Sequence, residues 1–167
     1  NKTIFDLKNS LDYLANEWGK SNQKIAFTHG DLSFSNIIIS FNTNKNVNVN
    51  FIDPNPSNLY LFPSPIIDIS KLLQSTYIMW ELATKTNDYL EYGIKNTNGT
   101  FMLTQPYYFN YAEKKIRKYA RDLGFSDKTQ DLHLLIHLKR ILPYIHKSIT
   151  LRQYLIGFIY FILFEKY

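Results

Sequence analysis

Asp31 and Asn36 stand five residues apart in the run Thr28-His29-Gly30-Asp31-Leu32-Ser33-Phe34-Ser35-Asn36. A carboxylate and an amide at that separation turn toward one centre when the residues between them form a loop rather than a helix. This pairing suits phosphoryl transfer, in which an aspartate accepts the proton of the attacking hydroxyl. An asparagine and a second aspartate then hold magnesium over the nucleotide phosphates. Asp53 supplies the second carboxylate. It follows Val47-Asn48-Val49-Asn50-Phe51-Ile52, which alternates as a strand does, and it precedes Pro54. Residues 36–41 form a first strand and Asn42-Thr43-Asn44-Lys45-Asn46 a polar turn, so two antiparallel strands bring Asn36 and Asp53 side by side.

Three motifs follow in order, HGDLSFSN at 29–36, FIDP at 51–54 and DISK at 68–71. Together they resemble the aminoglycoside phosphotransferase and choline kinase superfamily, whose signature is HGDxxxxN, an apolar strand ending in I-D, then D-[IL]-x-K. With the run HLKRILPY at 137–144, the version here is most similar to bacterial members associated with surface-polysaccharide or choline-type small-molecule phosphorylation. The resemblance implies a protein-kinase-like fold, ATP and Mg2+ as cofactors, and a small-molecule hydroxyl as acceptor. It implies Asp31 as catalytic base, Asn36 and Asp53 as magnesium ligands, and His29 and Asp68 as supports of the loop. Such kinases also carry an N-terminal lobe with a glycine-containing phosphate cover and a lysine for the α- and β-phosphates. About twenty-five residues precede the loop here, without a Gly-rich turn between strands. The expectation is therefore a C-terminal lobe alone, from a longer kinase, binding ATP weakly without its N-terminal lobe.

The fold class expected is α+β, mostly α-helical, a kinase-like C-terminal lobe with small β-hairpins and a single domain over 1–167. With 45% apolar and 16% aromatic residues the chain can build a core. Cysteine is absent and no leader pattern is evident, which points to the cytoplasm. The net charge of +5 is scattered rather than clustered, so nucleic acid is not an expected partner.

Around the site the chain reads as scaffold. Ile4, Leu7, Leu11, Leu14 and Trp18 mark one helix face, ended by Gly19. Residues 24–28 read as a short strand into the loop. The four prolines of 54–65 keep that segment irregular, and acceptor would enter between it and the next helix. A long helix is expected over about 66–83, with Asp68 near its N-terminus, where the helix dipole favours a carboxylate. Asn98-Gly99 suits a hairpin turn between Tyr92-Gly93-Ile94 and 100–103, a better reading of Asn98-Gly99-Thr100 than a glycosylation acceptor. Further helices are expected over about 106–123, 128–146 and 149–165. The first carries a stripe of Tyr108, Ala112, Ile116, Tyr119 and Leu123, and Pro143 kinks or ends the second. The apolar run within the last is half of the ~20 residues a membrane span needs, so it reads as a buried helix.

Tyr77, Trp80 and Tyr92 offer an aromatic wall for a quaternary ammonium group, the other reading being core packing. His133 and His137 have a zinc-like spacing, but Leu134 stands where a carboxylate is needed, which leaves them as packing residues. Sugar or amino-alcohol acceptors rank above aminoglycosides, since a basic chain does not advertise a site for polycations. Two rivals stay open: a non-catalytic pseudokinase-like binding module, and a metal-dependent phosphohydrolase using His29, Asp31 and Asp53.

Overall fold

A computed structural model of the protein describes residues 12, 16, 26–43, 45–55, 64–85, 93–97, 100–145 and 149–166. Strand β1 (Ile37–Phe41) pairs antiparallel with β2 (Val47–Phe51), Ile37 opposite Phe51, Ile39 opposite Val49 and Phe41 opposite Val47. Lys45 at φ 61° turns the chain between them, and Asn42 Oδ1 accepts from Asn46 N at 2.9 Å. Strand side chains alternate, so those three pairs share one face, which is apolar throughout. Ile39, Phe41, Val47, Val49 and Phe51 are all exposed.

Helix α1 (Ile66–Thr76) lies at the centre of the helical part, packed against α3 (Tyr107–Asp122) and α4 (Asp127–Ile141). Its Ile66, Ile69 and Leu73 meet Leu134, Leu135 and Leu138 of α4 in the main core. Helix α5 (Ile149–Tyr160) adds Leu155, Phe158 and Ile159 to the same core, as the buried terminal helix expected from its composition. A π-helical turn, Phe161–Glu165, follows it. A second hairpin joins β3 (Gly93–Thr97) to β4 (Thr100–Thr104), as the Asn98-Gly99 pair suggests, although that pair itself lies outside the described residues. The fold is thus mixed α+β and predominantly helical, with two separate two-stranded hairpins among the described residues.

Three expectations need correction. The helix proposed over 66–83 is two helices, because the chain breaks after Thr76 and resumes as α2 (Trp80–Lys85). Met79 takes φ 54° in the break, and the freed carbonyls find side-chain donors. Gln105 Nε2 donates to Thr76 O and Tyr77 O at 3.2 Å each, and Tyr154 Oη donates to Ile78 O at 2.8 Å. Such compensation keeps a helix end inside a protein from leaving bare carbonyls.

The α3 stripe is also displaced: Tyr108 and Tyr119 are exposed, while Phe109, Glu113, Arg117 and Ala120 face inward. A buried ion network decides this register. Arg117 Nε bonds Glu113 Oε1 at 2.7 Å, Arg117 Nη2 bonds Asp131 Oδ1 at 2.8 Å, and Lys166 Nζ reaches Asp131 Oδ2 at 2.6 Å. The helix ends close to the expected 123, and the φ of 92° at Gly124 lets Phe125 N reach back to Ala120 O at 2.9 Å. Finally, residues 26–28 carry no strand, Lys24 and Ile25 lying outside the described residues. Of the first predicted helix only Asp12 and Asn16 are described, both helical, and its apolar stripe lies outside.

Helix α4 starts at the Ser126 cap, whose Oγ accepts from Thr129 N at 3.1 Å, and ends in a 3-10 turn around Pro143. No helix among the described residues is long and apolar enough to cross a membrane.

Candidate active site

The loop 28–36 sits between the open end of the β1–β2 hairpin and the N-terminal turn of α1. Gly30 adopts φ 80°, a conformation with little penalty only for glycine, and this aims two successive amides at α1. Both reach Asp68: His29 N donates to Oδ2 at 2.7 Å and Gly30 N to Oδ1 at 2.9 Å. Burial raises the Asp68 pKa above its ordinary value, against the opposing pull of those two amides and of His29. The carboxylate is thus fixed as an acceptor, with both oxygens engaged.

His29 is held at three points. Besides its amide, its carbonyl accepts from Asn55 N at 2.9 Å, and its ring Nε2 lies 2.8 Å from Ile52 O. A carbonyl can only accept, so Nε2 carries the proton and donates. Its Nδ1 is buried without a hydrogen-bond partner, and the ring meets Phe51 edge-on at 6.4 Å. The imidazole therefore ties the loop to the end of β2, and neither nitrogen is presented as a base toward solvent.

Asn36 lies at the start of β1. Its Nδ2 donates to Asp31 O at 2.8 Å, which fixes the amide orientation and leaves Oδ1 directed elsewhere. Ile52 N donates to Asn36 O at 3.0 Å, extending the ladder one step beyond Ile37 and Phe51. Asp53 is the next residue, exposed and at φ 53°, a left-handed conformation that aspartate tolerates better than most side chains. Asn36 and Asp53 thus lie at one end of one hairpin. Among the described residues no group of three or more His, Cys, Asp or Glu side chains gathers as a metal site. An amide oxygen and a carboxylate are a partial oxygen set, the kind magnesium takes when phosphates and water complete its shell.

Asp31, half-exposed beside these groups, forms an ion pair that the motifs did not foretell. Lys71 Nζ, from α1, lies 2.9 Å from Asp31 Oδ1. The signal was in the quartet DISK: Asp68 and Lys71 stand three apart and share a helix face, so one grips the loop backbone while the other meets its side chain. Ser75 was missed as well. Its Oγ accepts from Phe34 N at 3.0 Å and donates to Glu81 Oε1 at 2.8 Å, while the Phe34 ring stacks on Phe109. Asp68, Lys71 and Ser75 therefore fasten the loop along the length of α1.

Of the aromatic wall only Tyr77 and Trp80 are among the described residues, and both are taken up by packing. Tyr77 is 4% exposed, and its ring already has Arg117 and Lys166 each 4.8 Å from its centroid. Trp80 packs against the core, and Tyr92 lies outside the described residues, as do 56–63 of the proline-rich segment. His133 and His137 are buried in α4 and pushed down to about 3, by burial in both, which fits packing.

The chain matches no protein-family model, no curated protein and no solved structure. What the site can do follows from its own geometry. Its polar groups are one carboxylate open to solvent, an amide oxygen and a second carboxylate at a neighbouring strand end, on a loop fastened by hydrogen bonds to α1 and to the end of β2.

Proposed function

We propose that this chain is the acceptor-side lobe of an ATP-dependent phosphotransferase, kinase-like in architecture, which moves the γ-phosphate of magnesium ATP to the hydroxyl of a small molecule. The observation that carries the reading is the placing of Asp31, Asn36 and Asp53 around one hairpin end, with the loop between them fastened by Asp68. Asp31 accepts the proton of the hydroxyl. Asn36 and Asp53 hold Mg2+, which when bound neutralises charge on the phosphates. The chain's own work is mostly positional, since phosphoryl transfer gains chiefly from alignment and fixed charge. His29 and Asp68 hold Asp31 and the metal ligands at a constant separation, because each bridges the loop to a different neighbouring element.

A sugar or polyol is the acceptor we favour, in surface-polysaccharide synthesis or related small-molecule metabolism. An amino alcohol such as choline lacks its aromatic wall at Tyr77. The exposed apolar face of β1–β2 supports a further part of the reading, that the N-terminal lobe which covers the nucleotide seats on this hairpin. The hydrolase alternative needs His29 as an active base, whereas its ring is engaged by Ile52 O.

The test is transfer of labelled γ-phosphate from magnesium ATP to a panel of alcohols by the full-length protein and by Asp31→Asn. Loss of the base lowers transfer by about 10²–10⁴-fold while circular dichroism stays unchanged. Undiminished transfer by the variant overturns the assignment.

A further inference from the structure

The ion pair between Lys71 and Asp31 has a consequence for the acceptor. The Lys71 side chain is only 16% exposed and that of Asp31 37%, so the ammonium is held from behind while the carboxylate opens to solvent. A hydroxyl that gives its proton to Asp31 must come within hydrogen-bond reach of that carboxylate, and therefore close to Nζ. Counter-charges for Nζ are few among the described residues. Asp68, one turn earlier on the same helix face, has each oxygen engaged by a loop amide. On the α4 side Lys71 lies close enough to His137 for its charge to add to the burial that pushes that imidazole down to about 3. Among the described residues Asp31 is the carboxylate paired to Lys71, and an ammonium paired to a catalytic carboxylate also competes for its lone pairs.

We propose that Lys71 is the acceptor-selecting residue of this site, and that the substrate is an anionic polyol bearing a phosphate or carboxylate near the reacting hydroxyl. This rests on the phosphotransferase reading above. The anionic group of the acceptor takes Nζ from Asp31, so binding of the right substrate frees the base. The hydroxyl oxygen then forms its bond to the γ-phosphorus as the bond from that phosphorus to the β,γ-bridging oxygen breaks. The hydroxyl proton goes to Asp31 and on to solvent, and ADP leaves. A neutral acceptor leaves the ion pair closed, and a cationic one meets the ammonium directly.

The experiment compares matched acceptors with the full-length protein: glycerol with glycerol phosphate, glucose with glucose phosphate and with glucuronate, and choline as the cation. The phosphate and carboxylate arms tell which anion is read. The wild type favours the anionic member of a pair by at least about tenfold in kcat/KM, the size of one charge-assisted hydrogen bond. Lys71→Met brings that ratio close to unity, mainly through KM for the anionic acceptor, and Lys71→Arg keeps the preference. Equal or better use of neutral or choline acceptors by the wild type overturns the inference without recourse to any variant. So does a Lys71→Met or Lys71→Gln defect of the same size for every acceptor, which would make Lys71 a group for the transferring phosphoryl instead. In both of those cases phosphate is still transferred and the phosphotransferase reading stands. Transfer to no acceptor at all, with nucleotide bound, overturns that reading and this inference together.

Discussion

The β1–β2 hairpin holds six large apolar side chains in water, Ile38, Ile39, Phe41, Val47, Val49 and Phe51, whereas Ile66, Leu73, Leu134 and Leu138 are fully buried among the helices. These two regions are joined by the loop 28–36, and the joints are polar: Asp68 to two amides, Ser75 to the Phe34 amide, Lys71 to Asp31. The helical part is ordered by packing and therefore fixes α1 firmly. The hairpin side takes its position from α1 through hydrogen bonds that specify direction. A site built this way keeps its geometry from the helices and leaves one wall open.

The sharpest way to break the helical part lies in its buried charges. Burial opposes the charge on Arg117, but Asp131 and Glu113 outweigh it and keep the guanidinium charged. Arg117→Met leaves Glu113 and Asp131 without their shared partner, at a cost of about 3–5 kcal/mol. Urea denaturation measures it, and a loss under about 1 kcal/mol would show that the carboxylates relax to solvent. Replacing Glu113, Arg117, Asp131 and Lys166 together by apolar residues of similar size should recover most of the loss, since a fully removed network leaves no orphaned charge.

Acid separates the two regions next. An unfolded histidine protonates near 6.5, whereas burial pushes folded His133 and His137 down to about 3. Between those values the unfolded chain binds more protons, so stability present above pH 6.5 is lost as pH falls, by up to about 1.4 kcal/mol per unit for each histidine. Asp68 acts in the opposite sense, because its raised pKa favours the folded state on acidification. Denaturation at pH 7 and at about pH 5 should show the net loss, and His133→Leu should make the slope shallower. An unchanged slope would mean that His133 reaches solvent.

How much of this was legible beforehand depended on whether the signal was local. The hairpin β1–β2 and the end of α3 near residue 123 follow from alternation, from helical periodicity and from backbone conformations that neighbouring residues dictate. HGDLSFSN and FIDP located Asp31, Asn36 and Asp53 because the loop and the register are short-range. The break after Thr76 was hidden, since no proline or glycine occurs there and its carbonyls are satisfied by Gln105 and Tyr154 from distant segments. The α3 register was hidden for a related reason. Tyr108 and Tyr119 read as core by hydropathy, but the inward face carries Glu113 and Arg117, whose partners Asp131 and Lys166 arrive only with the tertiary fold. Lys71 was in plain view within DISK, and its job became visible only when α1 met the loop.

The smallest effect is expected on the open wall. Val49 is 49% exposed and sits opposite Ile39, itself 57% exposed. Val49→Thr keeps the β-branch that the strand prefers and exchanges a methyl for a hydroxyl in water. Stability of the 167-residue chain should change by no more than about 0.5 kcal/mol in urea denaturation, the range of substitutions that disturb no packing. A loss above about 1 kcal/mol would place Val49 in a packed interior and cancel the contrast between the two regions. The same substitution in the chain joined to the N-terminal lobe proposed above sharpens the contrast further. If a nucleotide-covering lobe rests on this face, the hydroxyl is then desolvated without a partner, and the cost rises to about 1–3 kcal/mol. An effect of equal size in both forms would instead mean that this face stays in water and that the lobe seats elsewhere.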